Sequence, residues 1–93
     1  MIKTFAQEWL EDFWNQGKHK HVPPELSERL LRKLDMLNRS KDLRDLAAPP
    51  SNRLHPLHGD HQGRWAISVN GPWRLCFRFQ DGDVLDLELV QYH

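Results

Sequence analysis

Two hydrophobic periods divide the chain. Up to Ser51 apolar residues recur every three or four positions; beyond it they alternate. Phe5, Trp9 and Phe13 stand at i, i+4, i+8 with Leu10 and Trp14 beside them, which predicts a helix over 5–16. Thr4 and Gln7 occupy the N-cap and N3 positions of a capping box, and Gly17 is a natural stop. Pro24 suits the first turn of a second helix. Its stripe is Leu26, Leu30, Leu34 and Leu37, widened by Leu31, with Glu28 and Arg32 able to pair one turn apart on the outer face. Positions 42–47 read as one more short helical turn, ended by Pro49-Pro50.

Three half-buried antiparallel strands follow. Trp65, Ile67 and Val69 form one apolar row, Trp73, Leu75, Phe77 and Phe79 the next, and Leu85, Leu87 and Leu89 the third. Positions 53–57 could add a short edge strand, where Pro56 is tolerated. Paired residues share a sheet face, so parity constrains the turns. A three-residue Asn70-Gly71-Pro72 loop pairs Val69 with Trp73, Ile67 with Leu75 and Trp65 with Phe77. A Gln80-Asp81-Gly82 loop, with Gly82 left-handed, pairs Phe77 with Leu85 and Leu75 with Leu87. Odd-length loops or bulges are therefore expected at both turns. Helices first and sheet second is an α+β order: two N-terminal helices packed on a C-terminal antiparallel sheet of three to four strands. The opposite face would then display Ser68, Arg74 and Arg78.

With 93 residues the chain reads as one domain. A single cysteine, Cys76, excludes an internal disulfide framework. Residues 1–10 lack the apolar core of a signal peptide, and no apolar run approaches the ~20 residues of a membrane span. The expectation is a soluble cytoplasmic protein with no membrane partner. Thirteen basic residues against thirteen acidic give a formal charge of zero. Nucleic-acid-binding domains are usually basic. Any RNA contact must come from a local patch, or a larger partner must deliver the RNA. The four tryptophans, mostly on apolar faces, read as core.

The segment from Asn52 to His93 carries NRLHPLHGD, then GRWAISVNGPWRLCFRF, and ends VQYH. Together with MIKTF at the N-terminus and LRDLAAPPSNRL, it resembles the HigB-type, or plasmid-maintenance killer protein, branch of the RelE/ParE toxin superfamily. The resemblance spans essentially the whole chain. Its most specific parts are the Leu54–Gly63 stretch, the Trp73-Arg74 pair and the terminal Tyr92-His93. It implies a compact microbial-RNase-like fold and a ribosome-dependent mRNA endonuclease that inhibits translation. It also implies a HigA-type helix-turn-helix antitoxin encoded beside the toxin.

Metal-free RNA cleavage needs a base for the 2′-hydroxyl, a cation for the phosphorane and an acid for the 5′-oxygen. Arg74 matches the family's strand arginine and is the candidate phosphate contact; as a plain surface residue it would pair with Glu88 across the sheet. Tyr92 and His93 match the family's terminal pair; without the resemblance they read as a frayed end. His55 aligns where relatives carry histidine or glutamate, either of which can act as a base. The base assignment stays open between His55 and His93. His58, where some relatives have lysine, joins Arg78 and Gln91 as candidate RNA contacts. Gln91 replaces an acidic residue and cannot take a proton. His55, His58 and His61 have H-x2-H-x2-H spacing, but a path through Pro56 does not gather them on one face, so no metal or other cofactor is expected. The Lys18–His21 run could touch ribosomal RNA, or be a solvated loop. Two rivals remain: a non-enzymatic gyrase-binding toxin of the ParE type, and an inert module that only binds its antitoxin.

Overall fold

The computed structural model describes residues 1–91, so Tyr92 and His93 lie outside the described residues. Helix α1 spans Glu8–Gln16 and α2 Pro24–Arg39. Short 3-10 turns follow at Leu43–Ala47 and Pro50–Asn52. Strands β1 (His55–Pro56), β2 (Trp65–Asn70), β3 (Trp73–Gln80) and β4 (Asp83–Gln91) form an antiparallel sheet in chain order. This is the expected α+β architecture. Leu10, Phe13 and the Leu26, Leu30, Leu34, Leu37 stripe pack on Ile67, Leu75, Phe77 and Leu87, all within 2% exposure. No described helix is long and apolar enough to cross a membrane.

The first helix starts three residues later than the periodicity predicts. Its N-cap is Gln7, which makes no side-chain cap. Residues 1–6 instead run parallel to β4, with Ile2 bridging Val84 and Phe5 bridging Leu87. The Thr4 hydroxyl accepts from the Asp86 N–H at 2.8 Å, and the Gln7 amide both accepts from and donates to Leu89, at 2.7 and 3.1 Å. The capping-box side chains thus seal the edge of β4. An open strand edge is a stronger demand than a cap, because each lost bond would leave a β4 N–H or C=O unpaired at the edge of the sheet.

Both hairpins use two-residue turns, which corrects the three-residue loops. Asn70 pairs with Trp73, and the register shift between Ser68 and Asn70 leaves Val69 bulged. Beyond it Ile67–Leu75 and Trp65–Phe77 pair as parity required. At the second turn Asp81 and Gly82 both take positive φ, 52° and 83°, as a type I′ turn needs. Gln80 then pairs with Asp83, Phe79 with Val84 and Arg78 with Leu85. A bulge sets Asp86 (φ 53°) and Leu87 against Phe77, so that Leu75 meets Leu89 rather than Leu87. Val84, fully buried, therefore belongs to the apolar face, while Leu85 falls on the other and is only half-buried.

Candidate functional site

The face of the sheet turned away from the core is organised in rows. Directly paired residues share a face, so His55, Ala66, Cys76 and Glu88 form one row and Ser68, Arg74 and Val90 the next. From strand spacing and rise, the Cα atoms of His55 and Arg74 stand about 12 Å apart. That lies within the combined reach of an imidazole and a guanidinium. The face is partly roofed. Arg64 reaches across β3 to the Glu88 carboxylate at 3.0 Å and the Asp86 carbonyl at 3.2 Å. Ala66 and Cys76 beneath are buried. Glu88 is thus engaged by Arg64, and the Arg74–Glu88 pair is not formed.

The Arg74 guanidinium donates through Nη1 to the carbonyls of Gly71 at 2.5 Å and Trp73 at 3.0 Å. Those contacts hold the arm along the β2–β3 turn, and no carboxylate pairs with it among the described residues. His55 is half-buried, and its Nδ1 lies 2.7 Å from the Arg53 carbonyl. A carbonyl only accepts, so Nδ1 carries a proton and Nε2 is the ring nitrogen left to act as a base.

The other candidates are dispersed. Arg78 is four residues along β3 from Arg74, roughly 14 Å by strand rise, exposed and ion-paired with Asp86 at 3.3 Å. His58 is exposed and precedes the 3-10 turn Gly59–His61. Gln91 pairs with Trp73, which places it by parity on the opposite face from Arg74. Among the described residues no three His, Cys, Asp or Glu side chains gather as a metal site would need. In the Lys18–His21 run, His19 and His21 stack at 4.9 Å and lean on Trp9.

A basic groove adjoins Arg74. This cavity of about 670 Å³ lies between α2, the Pro49–Arg53 segment and the β2–β3 turn. Its cations are Arg29, Arg32, Lys33, Arg53 and Arg74, and no acidic residue lines it. Arg32 answers Glu28 one turn back at 2.6 Å, as its spacing predicted. Burial, reinforced by the charges of Arg29 and Arg32, lowers the Lys33 pKa from its ordinary value. The Lys33 ammonium donates to Asn52 Oδ1. Asn52 is fully buried, and its amide donates to the carbonyls of Leu46 at 3.0 Å and Ala48 at 3.3 Å. Overall charge concealed this patch. The signal available in the sequence was Arg29, Arg32 and Lys33 at i, i+3, i+4, one stripe on the polar side of α2. Arg53 and Arg74 join it only through the fold.

Asn52 therefore ties α2 to the segment that carries Arg53 and His55. Asn52→Leu keeps the approximate volume but leaves two carbonyls and an ammonium unanswered. Urea denaturation should show a loss of about 2–4 kcal/mol; a loss under about 0.5 kcal/mol would refute the tie.

The chain has relatives along its full length. A family model described as the RelE-like toxin of the type II toxin-antitoxin system HigB matches residues 3–93. A Vibrio cholerae protein named Toxin HigB-1 is 37% identical over 90 residues, covering 96% of this chain and 95% of its own. A Proteus vulgaris protein named Endoribonuclease HigB is 32% identical over 93 residues, covering 100% of both. Among solved structures, the YoeB–YefM toxin-antitoxin complex of Staphylococcus aureus aligns with a TM-score of 0.63 at 16% identity, covering 100% of this chain and 95% of that one. YafQ from E. coli aligns at 0.59 and 16%, covering 98% and 91%. At those identities the structures speak for the fold, which is that of RelE-like toxins. The chain belongs to the HigB-like family, the RelE-like toxins of type II toxin-antitoxin systems.

Proposed function

We propose that this toxin is an endoribonuclease that cleaves mRNA on the ribosome by acid/base chemistry without a metal, and that a HigA-type helix-turn-helix antitoxin restrains it in the cytoplasm. The observation that carries the reading is one sheet face holding both His55, its tautomer set by the Arg53 carbonyl, and Arg74, free of any carboxylate among the described residues. His55 Nε2 takes the proton of a 2′-hydroxyl. The 2′-oxygen attacks phosphorus, and Arg74 stabilises the charge gathering on the phosphoryl oxygens. The P–O5′ bond breaks, leaving a 2′,3′-cyclic phosphate, and the leaving oxygen takes a proton. The family resemblance gives that last role to His93 or Tyr92. A fixed tautomer favours His55 over His93 as the base. His58 and Arg78 serve as rim contacts, whereas Gln91, turned toward the Trp73 side, is left without a catalytic part.

The relative named an endoribonuclease supports the activity, and the toxin-antitoxin complex of the structural neighbour supports an antitoxin partner. The test is induced expression without antitoxin, with growth followed and mRNA 5′ ends mapped. Growth arrest with new 5′-hydroxyl ends inside coding regions is expected. Arrest with intact mRNA would overturn the reading and point to a gyrase-type target.

A further inference from the structure

The polar side of α2 and the β2–β3 turn enclose a groove that, apart from Arg74 at its end, neither the family description nor the cleavage chemistry uses. Arg29, Lys33, Arg53 and Arg74 converge on the groove with no carboxylate partner among the described residues, in a chain whose formal charge is zero. One cation is built in rather than draped over a surface, since the fully buried Asn52 amide holds Lys33. A preset donor loses less freedom on binding than a flexible one. Ser68 Oγ, buried and without a hydrogen-bond partner among the described residues, also belongs to a residue of the lining. No aromatic residue lines the cavity. A base-reading cleft needs stacking platforms; a backbone-reading cleft needs only cations and neutral donors.

We infer that this groove is a backbone track for RNA: it holds phosphodiesters flanking the one at Arg74 and does not discriminate bases. The inference rests on the cleavage reading only in placing Arg74 at the track's end. Continuity with Arg74 favours RNA over an acidic polypeptide, which would need only the charge. Desolvation and the two neighbouring arginines already depress the Lys33 pKa, so an anion in the groove relieves a repulsion that the fold has built in. The backbone can belong to the message or to ribosomal RNA.

The test compares wild type with Arg29→Gln/Lys33→Gln, both confirmed folded by circular dichroism and Tm. Three probes are used: a fluorescent 2′-O-methyl RNA 12-mer that cannot be cleaved, 70S ribosomes without message, and an octaglutamate peptide. Affinity is measured from 50 to 300 mM KCl. Removing two single-strand phosphate contacts should make the slope of log K against log [KCl] shallower by about 1.4, whatever the 12-mer's sequence. A change with the 12-mer assigns the track to the message; a change with empty ribosomes alone assigns it to ribosomal RNA. Unchanged slopes with both RNAs overturn the inference, and loss of octaglutamate binding in that case makes the groove a peptide site. If wild type makes no RNA ends in cells yet the slopes change, the cleavage reading fails and the track survives.

Discussion

Arg74→Ala should lower mRNA cleavage by about 10²–10³-fold, the typical consequence of removing one preorganised donor from a developing oxyanion. The side chain is half-buried on β3 and its Nη1 is committed to the Gly71 and Trp73 carbonyls. Those two bonds aim the arm and keep it from sweeping through solvent, so the guanidinium needs little reorganisation when phosphate arrives. They also give it a small structural share, and unfolding experiments should show a loss of no more than about 1 kcal/mol. Arg74→Lys retains the charge without the planar fork and should recover only part of the activity. Counting new mRNA ends per unit of folded protein separates the two contributions. Full cleavage by a folded Arg74→Ala variant would remove this residue from the site.

His55→Gln should be of the same order or larger, about 10²–10⁴-fold, because proton transfer by a positioned base contributes in that range. Glutamine can still donate to the Arg53 carbonyl that now engages Nδ1 at 2.7 Å, so the strand-edge hydrogen bond can persist while the proton acceptor is lost. His55→Glu supplies a carboxylate, which can accept a proton, and should restore activity above the glutamine variant. A merely structural role predicts the opposite order, since glutamate cannot donate to that carbonyl. Near-wild-type cleavage by His55→Gln would transfer the base role to His93.

Amphipathic spacing was enough to place α2, because its four-leucine stripe can be buried in only one way and all four residues are. Strand alternation likewise assigned Ile67 to Leu75 and Trp65 to Phe77, since slipping by one would have turned both rows to the wrong face. Arg74 on the face away from the core followed from the same parity, and the Trp73-Arg74 resemblance gave that position a chemical meaning. Where the structure departs from the spacing, the cause is either a partner distant in the chain or a local bend that hydrophobic alternation does not encode. Thr4 and Gln7 have the chemistry of a helix cap, yet they bind Asp86 and Leu89, 82 residues away. The left-handed Asp86 bulge exchanges Leu85 for Val84 in the core, and local spacing does not announce it.

The basic groove shows the division most clearly. Net charge hides it, because it sums over the surface and cancels to zero, and only the Arg29, Arg32, Lys33 stripe on α2 is visible along the chain. Local pattern determined which side of α2 is polar, which face of β3 carries Arg74 and that His55 precedes a proline. The tertiary structure alone decided that Arg29, Lys33, Arg53 and Arg74 meet around one cavity and that Asn52 is buried to hold one of them. The reason is physical. Periodicity reports how one element partitions between core and water, whereas an electrostatic site depends on distances between elements, which only their packing sets.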